Sequence, residues 1–333
     1  MPGEPRGWTV DDGWRAEPRS LGDVDRAGLS VAMKQVVSKP RIGVLANEDS
    51  WYFTDLRRAA EGIAGVERIE FSSLQSRIGG PERISAESLI SGQYDAVIVR
   101  SMPPGSLEQV VFRMDALAGL ERQGVLVINP PKSMELAIDK YLSLSKLAAA
   151  GFRVPETHVC QTWQDAVAAL EELGPSVVVK PIFGGEGRGI MRVEDPDLGH
   201  RVFKTLQQMG QIIYMQRFVP HPGYDLRVMV LGEQMWGMRR TSADSWRTNI
   251  SRGATATPET IPPEVAEVAL AVTRTLDLAI AGLDFLPDGE GGWYLLEVNA
   301  VPGWKGLSAA CEIDVAAELI QYVTGRIACR TSP

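Results

Sequence analysis

Between residues 41 and 129 short apolar runs alternate with segments of helical period, and this alternation limits the fold more than any other feature of the chain. Residues 42–46, 68–71, 94–100 and 125–129 read as strands; residues 52–64 and 107–121 read as helices between them. Runs that are apolar at nearly every position, rather than every second one, belong in a sheet covered on both faces. The expected class is α/β, a small parallel N-terminal sheet. The pattern then changes. Helices are expected over 134–150, 163–173, 198–209, 263–276 and 313–324, and strands over 176–180, 189–193, 212–216, 226–231, 235–240, 279–286 and 293–299. The last two form a hairpin. A chain of 333 residues makes about two or three domains. The expected division is 39–131 as the α/β domain, 132–215 as a central α+β part and 216–330 as a larger C-terminal α+β part.

Residues 1–38 mix Gly, Pro, Trp and both charge signs without a period. A disordered or loosely attached extension is expected there. A small docked helix over 20–37, or translation from Met33, are the alternatives. The net charge of −8 disfavours general binding to nucleic acid or anionic membrane. No 18-residue apolar stretch and no signal-peptide core occur. The 3 Cys are scattered and form no CxxC pair, so neither a disulfide framework nor a zinc site is expected. Together these point to a cytoplasmic protein.

Four groups of residues carry chemistry. Lys180 ends an apolar strand and is followed by a turn holding Gly184, Gly185, Gly187 and Gly189. Such a turn leaves backbone N–H groups open to phosphate oxygens. It is neither a Walker loop nor a Rossmann turn, because a strand follows it; a flap between antiparallel strands is expected, a floppy hairpin being the alternative. Second, Asp284 interrupts the apolar run AIAGLDFL and Glu297 interrupts WYLLEVNAV, with Asn299 two residues on. Period two puts Glu297 and Asn299 on one face, and the hairpin can bring Asp284 opposite. Acids inside apolar strands need a compensating charge. That charge is either arginine or a cation such as Mg²⁺ on nucleotide phosphates. Third, Arg239, Arg240, Arg247 and Arg252 concentrate near Trp246, Thr248 and Asn249, a patch able to neutralise phosphates or simply to stay solvated. Fourth, Lys140 lies beside a stripe of Ala137, Tyr141, Leu144 and Ala148. In addition, Arg100 ends the strand YDAVIVR before a Pro-rich loop. Its guanidinium can hold a substrate carboxylate or pair with an acid on the next helix.

The motifs DKYLSLSKL, VVVKPIFGGEGRGI, DLRVMVLG, RTNISRGA, GLDFL and LLEVNAVPGWKG occur in this order over residues 139–306, within a resemblance that covers residues 41–323. The arrangement resembles the ATP-grasp superfamily, and within it the RimK-like α-L-glutamate ligases. The resemblance implies the ATP-grasp fold with a pre-ATP-grasp domain, and ATP bound between the two α+β parts. It implies that Lys140 and Lys180 hold nucleotide phosphates beneath Gly184, Gly185 and Gly187. Gln216, Arg217, Phe218 and Val219 match the hinge at the adenine edge; Asp225 matches the acid near the sugar. Arg247, Thr248 and Asn249 match the phosphate-side segment, with Arg247 and Arg252 steadying the transferred group. Asp284, Glu297 and Asn299 match the ligands of Mg²⁺, for which Mn²⁺ can substitute. Gln216-Arg217 departs from the family, where Glu followed by an aromatic or aliphatic residue is common. The implied reaction joins a carboxylate to an amine through an acyl phosphate, adding L-glutamate to a peptide, protein or coenzyme tail such as tetrahydromethanopterin. A D-alanine–D-alanine-type ligase, a phosphotransferase and a silent ATP-binding module are the alternatives. The partners are then an amino acid and a carboxylate acceptor, with homo-oligomers allowed.

Overall fold

The structure is a computed structural model. It describes residues 39–77, 83–85, 92–185, 187–250 and 253–331, and the expectations for residues 1–38 and for Arg252 lie outside the described residues. The chain opens with β1 (Arg41–Leu45), α1 (Trp51–Ala59) and β2 (Gly65–Ile69). A small hairpin of β3 (Gln75–Arg77) and β4 (Arg83–Ser85) precedes β5 (Ala96–Val99), α2 (Leu107–Arg122) and β6 (Leu126–Ile128). The parallel sheet runs β2-β1-β5-β6. Its strands are apolar at consecutive positions because both faces are covered: Ile42, Val44, Val97 and Ile98 are fully or almost fully buried. The expected strand at 68–71 is displaced: β2 starts at Gly65 and ends at Ile69, and Phe71–Ser73 is a 3₁₀ turn.

The expected helix over 134–150 is two helices, α3 (Pro131–Ile138) and α4 (Lys140–Ala149). Asp139 takes extended backbone angles and its carboxylate caps α4 by accepting from the Leu142 N–H at 2.9 Å. A side chain that satisfies an orphan N–H competes with continuation of the helix through it. The break resets the helical phase. Lys140, Ser143, Leu144 and Leu147 turn inward, while Tyr141 is 51% exposed.

The central sheet comprises β7 (Thr157–Cys160), β8 (Val177–Lys180), β9 (Met191–Val193) and β10 (Ile213–Arg217) in the order β7-β10-β8-β9. It is covered by α5 (Trp163–Leu173) and α6 (Pro196–Gln208). β8 and β9 are antiparallel, so the glycine turn is a flap with Lys180 at its base, as expected. These elements have a core of their own, with Ala166, Leu173, Phe203 and Ile213 at its centre.

The last sheet joins β11 (Tyr224–Leu231), β12 (Gln234–Thr241), β13 (Thr255–Pro258), β14 (Ile280–Pro287) and β15 (Trp293–Asn299) in the order β13-β12-β11-β14-β15. It is backed by α7 (Pro263–Thr275), α8 (Lys305–Cys311) and α9 (Val315–Thr331). The short β7, β13 and α8 were not expected, and α9 runs beyond the expected end at 324. Unlike the central sheet, this sheet shares its cores with the N-terminal one. Val97 and Val99 belong to the same cluster as Val228 and Phe285, and Ile98 to the same cluster as Trp304 and Leu319. Asn129, after β6, ties the two sheets together. Its amide N–H₂ donates to the carbonyls of Ile280 and Ala300, at 2.7 and 2.6 Å. Its oxygen accepts from the N–H groups of Ala279 and Ile280, at 2.7 and 2.9 Å.

Candidate active site

Lys180, Gln216, Arg217, Phe218, Val219, Asp225, Arg247, Thr248, Asn249, Asp284 and Glu297 line one cavity between the central and C-terminal sheets. Lys140, Asn299 and the flap glycines 184, 185 and 187 are not in its lining, but Lys140 reaches it through its contacts.

Lys180 is held by a neutral amide, whereas Lys140 also meets a carboxylate. Lys180 Nζ donates to Gln216 Oε1 at 2.6 Å, and Gln216 Nε2 in turn donates to Thr157 Oγ1 at 3.1 Å. Burial of the ammonium lowers the Lys180 pKa to about 8; Glu297 works against the shift and the neighbouring Lys140 with it. Lys140 opens α4, donates to the carbonyl of Gly184 and lies 3.7 Å from Glu297 Oε1. The cap at Asp139 is therefore what turns this lysine inward.

Two of the carboxylates, Asp225 and Asp284, are held by arginines. β14 and β15 set Asp284 opposite Glu297 and Gly282 opposite Asn299, as the hairpin register predicts. Asp284 also lies opposite Arg227 on β11, whose Nη1 is 3.0 Å away, and Arg240 Nη2 is at 3.1 Å. Burial alone would raise the Asp284 pKa, but Arg227 and Arg240 outweigh it and hold the carboxyl below its usual range. Asp225 is 3% exposed, bonded bidentately by Arg240 at 2.7 and 2.6 Å and by the Thr248 hydroxyl.

The remaining residues flank these two walls. Arg247 Nη2 donates to the Ile190 carbonyl at 2.8 Å, joining the segment after β12 to the flap. Gly187 has φ +70°, and a Cβ there would fall 2.5 Å from Asn249 Oδ1. Only glycine permits this closeness of flap and segment. In the hinge, the N–H groups of Arg217 and Phe218 are bonded to the carbonyls of Glu156 and Ser176. The Arg217 side chain turns outward to Glu156, whereas the Phe218 ring lies 3.7 Å from the Arg192 guanidinium.

Arg227 was missed as a site residue, although period two places it on the same face of DLRVMVLG as Asp225. Arg240 stood in the basic patch without a role. Of the same patch, Arg239 turns away to Glu259, at 2.6 Å.

Among the described residues no group of three His, Cys, Asp or Glu side chains is arranged to hold a metal by itself. The donors at hand are two facing carboxylates and the amide oxygen of Asn299, all hard oxygen atoms. They fit a divalent cation that arrives with further oxygen ligands on phosphates, provided Asp284 yields part of its guanidinium contact.

The RimK-like ATP-grasp domain family matches residues 137–323. The chain is 31% identical to the tetrahydromethanopterin:alpha-L-glutamate ligase of Methanosarcina acetivorans, over 77% of this chain and 88% of that protein. It is 29% identical to the glutamate–LysW ligase ArgX of Sulfolobus acidocaldarius, over 70% of this chain and 82% of that protein. Its fold is similar to that of the ATP-grasp ligase PsnB complexed with a minimal precursor, Mg and ADP. That likeness has a TM-score of 0.66 at 18% identity and covers 86% of this chain and 98% of PsnB.

Proposed function

The chain belongs to the RimK-like ATP-grasp family, and from that membership we propose that it adds L-glutamate to a carboxylate on a coenzyme, peptide or protein tail. The enzyme is an ATP-dependent, ADP-forming carboxylate–amine ligase. The observation that carries the reading is the cavity with two opposite walls, Lys180 held by a neutral amide and Asp284 facing Glu297. One wall suits phosphate anions; the other suits the cation that accompanies them.

In this reading ATP lies between the central and C-terminal sheets, with its phosphates toward Lys140 and Lys180. Asp284, Glu297 and Asn299 would hold Mg²⁺, or Mn²⁺ in its place, which would neutralise charge on the phosphate oxygens. The acceptor carboxylate attacks the γ-phosphorus; the bond to the bridging oxygen breaks and ADP leaves. The amine of glutamate then attacks the acyl phosphate, expels phosphate and loses a proton. Arg247, which lines the cavity, is assigned to steady the transferred group, and Arg252 the same task. The work is mostly positioning and electrostatics. The division at 39–131, 132–215 and 216–330 belongs to the same reading, as does a place in the cytoplasm. Among the described residues no helix is long and apolar enough to cross a membrane.

The test is mass-spectrometric screening of amino acids against candidate acceptors with ATP and Mg²⁺. A product heavier by one glutamyl residue, with ADP released only when both substrates are present, is expected. ADP release with a hydroxyl substrate and no amine would make the protein a phosphotransferase and overturn the reading.

A further inference from the structure

Arg100 directly follows β5 at the carboxyl edge of the N-terminal sheet and is 6% exposed. Among the described residues no acid pairs with its side chain, and it does not line the cavity described above. Instead the guanidinium packs against two rings that meet edge to face, with centroids 4.2 Å away for Trp304 and 4.7 Å for Tyr52. Its Nη2 donates to the Pro302 carbonyl at 2.7 Å, and its Nε is buried without a partner. Desolvation costs a buried cation several kcal/mol, by rough estimate, and here no carboxylate offsets it. Cation–π contact returns only part of that, about 2 kcal/mol.

What the arrangement provides is a fixed position for residues 302–304. Trp304 is fully buried and its Nε1 donates to Asp55 Oδ2 at 2.9 Å. A Cβ on Gly303 would fall 2.4 Å from the Tyr52 hydroxyl. The segment is thus gripped by α1 and by the end of β5. It bears in turn on the carboxylate wall. A Cβ on Gly282 would fall 3.0 Å from Pro302 Cβ and 2.6 Å from Arg227 Nη2. Gly282 pairs with Asn299, and Arg227 bonds Asp284. The path Arg100, Pro302, Gly282, then Arg227 with Asp284 and Asn299, is continuous contact.

We propose that Arg100 is a positioning residue that sets the spacing of the cation-holding wall through Pro302. The proposal rests on the reading of Asp284, Glu297 and Asn299 as the holders of the nucleotide's metal ion. A lysine is no equivalent, because its ammonium lacks the broad planar group that meets both rings while donating to the Pro302 carbonyl.

The experiment uses full-length Arg100→Lys and Arg100→Met. Without ligand, hydrogen exchange at 282–284 and 299–304 should accelerate in both, while β1 and β8 keep their protection. In calorimetry, ADP affinity without Mg²⁺ should stay within about twofold of wild type. The gain in affinity that Mg²⁺ brings should fall roughly tenfold, and equally in both variants. Unchanged exchange together with unchanged Mg²⁺ dependence in the folded variants overturns the proposal. So does an equal loss of ADP binding with and without Mg²⁺, which marks a general structural role. If wild-type ADP binding ignores Mg²⁺, the metal reading fails and the exchange result decides on Arg100 alone. Should both variants fail to fold, Gly303→Ala pushes the same segment from the Tyr52 side and is expected to reproduce the Mg²⁺ effect; no change in it overturns the proposal.

Discussion

The two walls of the cavity stand on different foundations. Asp284, Glu297 and Asp225 stand on the C-terminal sheet, which shares its cores with the N-terminal sheet and is pinned to it by Asn129. Lys180 stands on the central sheet, which has a separate core. The charge balance differs in the same way. Asp225 and Asp284 are saturated by Arg227 and Arg240, whereas Lys180 rests on the oxygen of Gln216. A wall whose charges are balanced keeps its shape unaided. A cationic wall in which Lys180 has no direct carboxylate contact among the described residues gains most when an anion arrives, and a module with its own core can move to meet that anion.

Removing Arg240 should break this contrast most severely. Arg240→Met leaves two buried carboxylates short of a partner and should cost about 3–5 kcal/mol of stability in urea unfolding. Those carboxyls would then prefer to be protonated in the folded state. Folded pKa values raised above the unfolded ones mean that the deficit grows as pH rises and shrinks toward the carboxylate range. A loss below about 1 kcal/mol would show that the wall is not held by its ion pairs.

Lys180→Met should do the opposite, leaving stability equal to or above wild type while kcat/KM falls roughly 10²–10³-fold. Melting and ADP-release assays on one preparation check this; a parallel loss of stability would mean that the lysine also holds the central sheet. For Glu297→Gln the protein should stay folded with Mg²⁺ affinity reduced about 10–100-fold and turnover abolished. Turnover like that of wild type would remove Glu297 from the metal set.

The gentlest change makes one wall resemble the other. Lys180 carries its proton below about pH 8 in the unliganded protein, so its attraction for phosphate is present below that pH and declines above it. Gln216→Glu supplies an acid beside it, which favours the ammonium form and should move this inflection upward. Affinity for ATP at pH 7 should change only a few-fold. Nucleotide titrations from pH 6.5 to 9.5 would test it, and an unmoved inflection would assign the titration to another group.

Much of this was legible in the chain because apolar strands expose any charge placed in them. Asp284, Glu297 and Asn299 could be set on facing positions from period two alone, and the register agrees. Lys180 and its flap followed from a glycine turn between two apolar runs. Lys140 was harder to place. Its burial depends on the cap at Asp139, and a continuous helix through that point puts Tyr141 on the inner face instead. Arg227 was undervalued because its partner Asp284 lies 57 positions away, a pairing that only the sheet order reveals; Arg240 meets Asp225 across the β11–β12 hairpin, and only its second partner, Asp284, is distant. Arg100 stood out in the sequence, but its contacts did not: its partners are rings and a carbonyl, which leave no complementary charge in the sequence.

The four bonds of Asn129 have a consequence for how such a protein can be recombined. One amide satisfies both the start of β14 and the residue after β15, and the neighbouring strands share their apolar faces across the same junction. The N-terminal layer is therefore no cassette. Grafted onto a relative's catalytic part, it would have to bring a matching amide and matching apolar relief, or both pieces would be left with exposed core and unanswered backbone groups. Exchange at the central sheet, which carries its core with it, meets no such condition, so chimeras of this chain should tolerate a foreign lid more readily than a foreign N-terminus.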